Sequence, residues 1–496
     1  MGSSCKERAF TTLLVVATLS SLLTLILILV ETTTILLPAN IKYGVVFDAG
    51  SSHTSLFVYQ WPADKENDTG VVSQSLVCQV EGPGISFYAH NPAKAGESLR
   101  DCLDQALTHI PKDKWQGTPL FLGATAGMRL LSQKNMSQAT GIFEAISQVL
   151  SESPLDFWGA NLLSGQDEGS LGWITINYVL DKLVKYSFTG QWIRPQEGTL
   201  VGALDMGGAS TQITFLPERP IQDKSTEVTF KLYGSNYSVY THSYLCYGRD
   251  QILNRLLVNL LQQNISDHRL QQPCYHKGYN ATLALAPLYE SPCVHTTAPS
   301  GLPQNLTVEG TGNPEACATA LYKLFNFSTC EHPENCAFEG VYQPPVWGQF
   351  YAFSNFFYTF KFLNLTSGQS LTKVNTTIWE FCKKPWGQLE AEYPGEKNWL
   401  RDYCASGLYI LTLLLKGYGF TEDTWSSISF RKQVGNADIG WTLGYMLNQT
   451  NRIPAEPPAR WQAQRHSIWV ASVVWAVLTL LAFLGAAIGW LLWHCG

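Results

Sequence analysis

The sequence predicts a two-lobed α/β protein with a membrane-spanning helix at each end. Three observations support this: a glycine-rich motif that occurs twice, an apolar stretch near each terminus, and buried strands that end in small residues and enter helices. At 496 residues the chain is long enough for two domains with substantial cores. The functional groups are therefore expected where the two lobes face each other.

The segment 201–215 predicts a β-hairpin with a carboxylate at its mouth. Its apolar run ends at Asp205, a small-residue turn follows, and polar and apolar residues then alternate. The turn glycines leave backbone N–H groups uncovered for an anion, and Ser210 and Thr211 add hydroxyl donors. An aspartate beside such a loop suits the hydrated divalent cation that accompanies polyphosphates. For one copy alone, an ordinary glycine-rich hairpin would be the simpler interpretation.

The segment 44–59 repeats the same plan around Asp48. A repeat at a domain-sized interval predicts two similar lobes, each offering one phosphate-binding hairpin to the space between them. The pair of motifs is much harder to attribute to chance than either motif alone.

The formal net charge of −6 leaves no basic footprint for nucleic acid. An acidic protein that handles phosphates needs a cation to screen their charge. Metal dependence is therefore expected before any ligand is identified.

Residues 9–30 and 468–493 are apolar runs long enough to cross a bilayer of about 30 Å. A cleaved signal peptide is the alternative for the first run, but the run is too long and no clear cleavage site follows it. Lys6 and Arg8 precede the first span and Glu31 follows it, so residues 1–8 are expected in the cytoplasm. Arg460 and Arg465 mildly oppose a cytoplasmic placement of residues 494–496.

Glycosylation sequons outweigh that opposition, because every one lies between the two spans and sequons mark the surface of secretory-pathway proteins. They begin at Asn67, Asn135, Asn236, Asn264, Asn280, Asn305, Asn326, Asn364, Asn375 and Asn448. Both termini are therefore expected in the cytoplasm, and the segment between the two spans outside the cell.

Ten of the twelve cysteines also lie between the spans, without a CxxC pair, which predicts five disulfides rather than a metal cluster. They are Cys78, Cys102, Cys246, Cys274, Cys293, Cys317, Cys330, Cys336, Cys382 and Cys404. Cys5 and Cys495 sit at the cytoplasmic membrane edge, where palmitoylation and an unmodified thiol both remain open.

Between the hairpins, residues 118–123 predict a buried strand that enters a helix through Thr125, which is typical of a ligand-binding edge in α/β folds. Asp167 and Glu168 precede a helix predicted to open at Ser170. Acidic residues there usually serve the helix dipole, and this interpretation stays open for the pair taken alone.

The remaining segments predict helices over 97–110, 250–262 and 398–418, and strands over 226–244. Residues 264–345, rich in Cys, Pro and sequons, predict a disulfide-stapled surface region. A strongly aromatic stretch follows over 349–363.

Together these segments resemble the ecto-nucleoside triphosphate diphosphohydrolases, the cell-surface ecto-apyrase family, in its plasma-membrane, two-span branch. The resemblance covers essentially the whole chain and rests on stretches in the family's order: Asp48-Ala-Gly-Ser-Ser-His-Thr; Ala124-Thr-Ala-Gly-Met-Arg; Gly165-Gln-Asp-Glu-Gly with Gly172-Trp-Ile-Thr-Ile-Asn-Tyr; Leu204-Asp-Met-Gly-Gly-Ala-Ser-Thr-Gln; Tyr351-Ala-Phe-Ser; and Gly440-Trp-Thr-Leu-Gly-Tyr-Met-Leu-Asn.

The resemblance implies an actin/hexokinase-like ATPase fold with a central nucleotide cleft. Lobe I would comprise residues 41–164, with 432–460 returning to it, and lobe II residues 165–431. It also implies hydrolysis of nucleoside tri- and diphosphates (ATP, ADP, UTP, UDP) to monophosphates with Ca²⁺ or Mg²⁺, and so control of extracellular nucleotides in purinergic signalling. Homo-oligomers through the transmembrane helices are left open.

By the same resemblance, Glu168 is the general base for the attacking water, and Ser210 and Gln212 position that water. Asp48 and Asp205 hold the metal through its water shell, with Trp441 nearby. Asp167 replaces a glutamate common at that position, which the assignment tolerates because this residue is not the base.

Phosphate binding is assigned to Thr125 and to the two hairpin loops, and stacking on the base to two aromatic residues. The loop residues are Gly50, Ser51, Ser52, His53, Thr54, Gly207, Gly208, Ala209 and Ser210; the aromatic residues are Tyr358 and, at the opposing position, Trp399. The implied disulfides are Cys78–Cys102, Cys246–Cys293, Cys274–Cys317, Cys330–Cys336 and Cys382–Cys404.

Two other functions fit parts of this pattern. A phosphotransferase such as a sugar kinase would need an acceptor pocket and cytosolic ATP, whereas the sequons place this domain outside the cell. A non-catalytic nucleotide receptor would not need Glu168 beside an intact pair of hairpins. Physical reasoning supports the assigned residue roles, because phosphoryl transfer depends on positioning and charge neutralisation more than on covalent chemistry.

Overall fold

The structure is a computed structural model that describes residues 5–29, 32–186, 192–193, 200–263, 269–298, 304–328, 335–396 and 399–494. It divides into two compact units, Met1–Asn40 with Glu456–Gly496, and Ile41–Ala455. Residues 456–460, which were expected to return to lobe I, belong to the first of these units.

The helices are α1 Cys5–Leu29, α2 Pro92–Glu97, α3 Arg100–His109, α4 Ala126–Lys134, α5 Met136–Ser151, α6 Gly165–Val179, α7 Arg249–Gln263, α8 Ala286–Tyr289, α9 Pro314–Tyr322, α10 Asn355–Phe362, α11 Leu371–Lys383, α12 Trp386–Glu392, α13 Tyr403–Thr412, α14 Glu422–Trp425, α15 Trp441–Thr450 and α16 His466–His494.

The strands are β1 Thr32–Leu36, β2 Ile41–Ala49, β3 Thr54–Pro62, β4 Ser73–Gln79, β5 Pro119–Ala124, β6 Asp156–Leu162, β7 Lys185–Tyr186, β8 Trp192–Ile193, β9 Gly202–Met206, β10 Ser210–Phe215, β11 Glu227–Leu232, β12 Ser235–Leu245, β13 Arg269–Gln272, β14 Asn280–Ala284, β15 Asn305–Gly310, β16 Phe350–Ser354, β17 Ile428–Phe430, β18 Gln433–Val434, β19 Ala437–Asp438 and β20 Arg460–Gln464.

The first unit consists of the two terminal helices and a two-stranded ribbon. Within α1 and α16, Glu7–Leu29 and His466–Leu492 are long and apolar enough to cross a membrane, judged by length and composition. Strands β1 and β20 pair antiparallel, and Thr479 Oγ1 donates a hydrogen bond of 2.8 Å to Ser20 Oγ between the helices. Both predicted spans are therefore helical.

In the second unit, the first large sheet has the strand order β4-β3-β2-β5-β6. Strands β2, β3 and β4 pair antiparallel, and β5 and β6 then add in parallel. The predicted hairpin is β2–β3, and residues 44–47 of its strand β2 are all buried. The strand is an apolar run because both faces of the sheet are covered: Val45 and Phe47 belong to one apolar core and Val46 to another.

The second large sheet repeats that order as β12-β10-β9-β16-β17, with β11 added at its edge. Again three antiparallel strands are followed by two parallel ones, and the hairpin β9–β10 takes the place of β2–β3. The internal repeat predicted from the two aspartate motifs is thus confirmed in the strand topology.

Helices α6 and α15 pack against each other between the two sheets. The apolar core there takes residues from both sheets, including Val46 and Phe353, and includes Trp173 from α6. The Gly444 backbone N–H donates a hydrogen bond of 2.8 Å to Thr175 Oγ1. A Cβ atom at Gly444 would lie 2.0 Å from the Leu171 carbonyl oxygen, so this crossing tolerates only glycine.

The helix that carries Glu168 begins earlier than the sequence predicted. It starts at Gly165 rather than Ser170, because Ser164 acts as its N-cap and its hydroxyl accepts from the Asp167 backbone N–H at 3.0 Å. Glu168 therefore lies in the first turn of α6.

The segment predicted to be a surface region is more ordered than its composition indicated. It contains the three-stranded sheet β13-β15-β14, and Leu270, Leu306 and Val308 join the core of the second lobe. Four disulfides match the expected pairs: Cys78–Cys102, Cys246–Cys293, Cys274–Cys317 and Cys382–Cys404. The fifth expected pair involves Cys330, which lies outside the described residues, as does the sequon residue Asn264.

The close crossing of α6 and α15 predicts that Gly444→Ala destabilises the protein. Its new methyl group would overlap the Leu171 carbonyl, and overpacking of this kind typically costs about 1–3 kcal/mol. Gly387→Ala is the matched control, because a Cβ at Gly387 in α12 would meet nothing within 4 Å. Thermal unfolding of the purified full-length variants should show a lower midpoint for Gly444→Ala alone. Equal midpoints would show that the crossing has room to spare.

Candidate active site

The two hairpins bring Asp48 and Asp205 to equivalent places. Each aspartate lies near the end of the first hairpin strand, opposite Ser55 and Gln212 respectively. The same turn hydrogen bond closes both loops: Gly50 N–H donates to the His53 carbonyl at 3.0 Å, and Gly207 N–H to the Ser210 carbonyl at 2.9 Å. The two loops are therefore alike in backbone as well as in sequence.

The tips of the two loops face each other closely. A Cβ atom at Gly208 would lie 2.7 Å from Ser51 Oγ of the other hairpin. Neighbouring chain also packs against each loop: a Cβ at Gly127 would lie 2.8 Å from Ser51 Cα, and a Cβ at Gly248 would lie 2.4 Å from the backbone nitrogens of Ala209 and Ser210. Glycine is needed at these positions so that backbone can approach the loops.

The other predicted phosphate-binding residues lie on the same loops or beside them. Ser52 and His53 are exposed at the first turn, where Ser52 Oγ and His53 Nδ1 are 3.0 Å apart. Thr54 is buried and its hydroxyl has no partner among the described residues. Thr125 precedes α4, its backbone N–H donates to the Ala49 carbonyl at 3.1 Å, and its side chain makes no capping hydrogen bond.

Glu168 meets the second hairpin at a buried cluster of polar side chains. Its Oε2 atom forms an ion pair with Arg129 Nη2 from α4 and accepts a hydrogen bond of 3.0 Å from Gln212 Nε2. Gln212 Nε2 also lies 2.8 Å from Ser210 Oγ. The three residues assigned to the base and to water positioning therefore converge.

Two further residues complete this cluster. Ser243, opposite Gln212 on β12, places its Oγ 3.0 Å from Gln212 Nε2 and 3.4 Å from Arg129 Nη1. Arg129 Nη2 lies 3.2 Å from Ser210 Oγ. Gln212 Oε1 is buried without a partner among the described residues. The hydrogen-bonding capacity of this oxygen is therefore unused within the cluster.

Burial of three carboxyl groups in one cleft shifts their pKa values upward. Desolvation raises the pKa of Glu168 to about 8; Arg129 opposes this, and the charges of Asp205 and Asp48 add to it. Desolvation also raises the pKa of Asp48 to about 7, although the nearby indole of Trp441 lowers it in part. Desolvation raises the pKa of Asp205 to about 6, although a hydrogen bond from Ser354 lowers it in part. The cleft therefore favours positive charge.

Asp48 and Asp205 fit a hydrated divalent cation. Asp48 Oδ1 is buried without a hydrogen-bond partner among the described residues, and the Trp441 indole lies close enough to Asp48 to lower the pKa of that carboxyl. Those residues contain no group of three or more His, Cys, Asp or Glu side chains that could hold a metal directly. Magnesium typically binds through one or two carboxylates together with several waters and substrate phosphates, and Asp48 and Asp205 can supply the carboxylates.

Asp167 points away from the cluster. It is exposed, and its Oδ2 accepts a hydrogen bond of 2.7 Å from the Ser164 hydroxyl at the start of α6. The helix-dipole interpretation therefore applies to Asp167, while the buried Glu168 faces the cleft.

The aromatic candidates are both about half exposed: Tyr358 at 46% and Trp399 at 47%. Tyr358 contacts Phe357 edge-on with ring centres 5.7 Å apart. The Arg249 guanidinium lies 4.6 Å from the centre of the Trp399 ring. Because the Arg249 backbone N–H donates to the Gly207 carbonyl at 3.0 Å, this pair is tied to the second loop.

Sequence reasoning assigned no role to Arg129, Ser243, Arg249 or Ser354. Arg129 follows the predicted phosphate-binding residue Thr125 by one helical turn, and this spacing could have indicated that Arg129 also faces the site. Ser354 could not have been found, because its distinction is a strained backbone with φ 55° and ψ −130°. It ends β16 beside β9, where its hydroxyl reaches Asp205.

Residues 34–465 match the GDA1/CD39 (nucleoside phosphatase) family. The chain is 66% identical to human ectonucleoside triphosphate diphosphohydrolase 8 over 99% of both chains, and 53% identical to the chicken protein of that name over 97% of both. It is 48% identical to mouse ectonucleoside triphosphate diphosphohydrolase 2, covering 93% of this chain and 92% of that one.

Among solved structures, the crystal structure of a nucleoside triphosphate hydrolase from Neospora caninum matches with a TM-score of 0.59 and 15% identity, covering 85% of this chain and 93% of that one. At that identity the likeness concerns the fold, and it agrees with the predicted two-lobed, actin/hexokinase-like class. The match over residues 34–465 and the extensive identity to these relatives show that the chain belongs to the GDA1/CD39 nucleoside phosphatase family.

Proposed function

We propose that this protein hydrolyses nucleoside tri- and diphosphates, such as ATP, ADP, UTP and UDP, to monophosphates and phosphate. The observation that carries the proposal is the convergence of Glu168, Ser210 and Gln212 beside two facing phosphate-type hairpins. The names of the relatives support the same activity.

In this proposal Glu168 accepts a proton from the water that attacks the terminal phosphorus. Ser210 and Gln212 hold that water, since Gln212 Oε1 is a buried acceptor with no other partner among the described residues. Arg129 holds the Glu168 carboxylate by an ion pair and keeps part of it ionised. Ser243 orients the side chains of both Gln212 and Arg129.

The hairpin loops and Thr125 would grip successive phosphates through backbone N–H groups and hydroxyls. A Ca²⁺ or Mg²⁺ ion near Asp48 and Asp205, with Trp441 beside it, would neutralise charge on the phosphates. Tyr358, Trp399 and its partner Arg249 offer flat surfaces to the base, which suits both purine and pyrimidine nucleotides. Hydrolysis of a diphosphate would require only that its terminal phosphoryl group reach the same point.

We further propose that the protein sits in the plasma membrane through two spans, with both termini cytoplasmic and the catalytic domain outside. The apolar helices α1 and α16 and the disulfides of the second unit support this placement. Within that unit we retain the division into lobe I and lobe II near Gly165. The activity would then lower extracellular nucleotide levels.

Glu168→Gln should lower kcat for ATP hydrolysis by about 10²- to 10⁴-fold, the usual effect of losing a general base. The amide keeps size and hydrogen bonding but removes the basic oxygen. Asp167→Asn is the matched control, because Asp167 is exposed and serves the helix start. The comparison is made at saturating Ca²⁺ or Mg²⁺. If Asp167→Asn lost most activity and Glu168→Gln kept more than about a tenth, Glu168 would not be the base.

Asp48→Asn and Asp205→Asn should each raise the cation concentration needed for half-maximal hydrolysis, by roughly 10- to 100-fold, as outer-shell changes at metal sites do. Asp113→Asn, an exposed aspartate, is the control. Stabilisation of the protein by cation with a non-hydrolysable nucleotide should weaken in parallel, measured as the shift of the unfolding midpoint. Unchanged cation dependence in both variants would argue against these aspartates as the metal site.

Arg129→Met should move the acidic limb of the kcat–pH profile to higher pH. The guanidinium lowers the pKa of Glu168, so without it the carboxyl ionises only at higher pH, by about one to three units for an opposite charge this close. Arg129→Lys keeps the charge and should shift the limb less. Lys134→Met, on the same helix but paired with Glu290 at the surface, should leave it in place. If the acidic limb of the kcat–pH profile did not move in Arg129→Met, Arg129 would not control the pKa of Glu168.

A further inference from the structure

An open cavity of about 450 Å³ lies in the second lobe, away from the elements that carry the site residues. Helices α9, α11 and α13 form its walls, with the π-helix Leu413–Gly417 that continues α13. Its lining is largely apolar and includes Tyr322, Leu371, Asn375, Trp379, Leu411 and Leu415. We call this feature the α11 groove.

The α11 groove leaves aromatic surface uncovered. The Tyr322 side chain is 49% exposed, and Trp379 and Leu415 are only partly buried. Its volume falls within the range of about 300–1,000 Å³ that is usual for small-molecule sites. Lys416 and Glu422 add charged groups to this apolar lining. The groove therefore suits an amphipathic occupant the size of a sugar residue or two.

One wall of the α11 groove carries a glycosylation sequon. Asn375 is exposed, is followed by Thr376 and Thr377, and its side chain makes no hydrogen bond to the described residues. Asn375 and Trp379 are four residues apart on α11 and so share a face. Helical side chains lean toward the N-terminus, which brings the Trp379 ring over the turn that carries Asn375.

We propose that the first N-acetylglucosamine of an N-linked glycan on Asn375 packs into the α11 groove and covers its aromatic residues. A pyranose ring presents C–H groups on one face, which can cover the rings of Trp379 and Tyr322, and hydroxyls at its edge, which can reach Lys416 and Glu422. The covalent link to Asn375 holds the sugar at the groove, so little entropy is lost when it packs. The proposal rests on a secretory-pathway location and is independent of the chemistry at Glu168.

The test uses the full-length protein made in mammalian cells that attach only high-mannose glycans. Native digestion with an endoglycosidase that leaves the first sugar is compared with an amidase that removes the whole glycan. Trimming to one sugar should keep the unfolding midpoint of the untreated protein, and complete removal should lower it by about 1–2 °C, the shift expected for roughly 1 kcal/mol in a unit of this size. Mass spectrometry measures occupancy of Asn375.

Variants locate the effect. Asn375→Gln and Thr377→Ala both remove the sequon and should lower the midpoint alike, whereas Asn305→Gln, which removes an exposed sequon at the start of β15, should not. In a Trp379→Ala background, Asn375→Gln should have little further effect, because contacting groups are not additive. The kcat for ATP hydrolysis should be unchanged in all four single variants, which separates this proposal from the proposed function.

Several outcomes would overturn the proposal. These are an unmodified Asn375, an equal loss of stability when one sugar is left in place, and additive effects of Asn375→Gln and Trp379→Ala. Dimers that form in Asn375→Gln without a change in midpoint would show that the groove is instead a contact between copies of this chain. Because the digestions start from folded wild-type protein, the test does not depend on the variants folding.

Discussion

Burial of three carboxyl groups in one cleft is the constraint on which the rest of this structure depends. Glu168 is buried and Asp48 and Asp205 are partly buried, and the charges of the two aspartates raise the pKa of Glu168. Buried like charges are tolerated only when opposite charge compensates them. Glu168 has Arg129, whereas among the described residues the aspartates have no basic partner. A divalent cation beside the two aspartates would supply that compensation.

Helix α6 contributes to the core between the lobes and also positions the candidate base, Glu168. The first turn of α6 carries Glu168, and its body packs against α15 at Gly444. At Gly165 and Gly169, side chains of β10 and β12 approach so closely that a Cβ atom would overlap them. The carboxylate is therefore held by backbone packing, and displacement of a reacting group by about 1 Å can cost roughly a hundredfold in rate.

The second lobe combines this precise packing with an irregular outer layer. The repeated five-strand plan is common to both sheets, but the second lobe adds β11, a three-stranded sheet and several helices. Three of the four observed disulfides lie in this added material or at its edge. Disulfides, and groups that cover exposed apolar side chains, stabilise this outer layer most, because its short helices and strands bury less apolar surface per residue than the central sheets do.

The sequence by itself determined the local plan of the protein. Two copies of an apolar run, an aspartate and a glycine-rich turn predicted two hairpins and two lobes, because turn chemistry and strand periodicity act over a few residues. The length of each terminal apolar run predicted a helix there, because this signal is also contained in one continuous stretch of sequence. Motif resemblance placed Glu168, Ser210 and Gln212 in one site, although their spacing alone could not show that they meet.

Only the tertiary structure decided how those groups are held. The apolar run that begins at Ser170 predicts the start of α6 five residues too late, because the Ser164 cap begins the helix at Gly165. Arg129, Ser243 and Ser354 gained roles only when α4, β12 and β16 met the second hairpin. The fit of Gly444 against Leu171 was equally invisible. Each of these depends on contacts between residues far apart in the chain, whose geometry is set by packing rather than by local sequence preference.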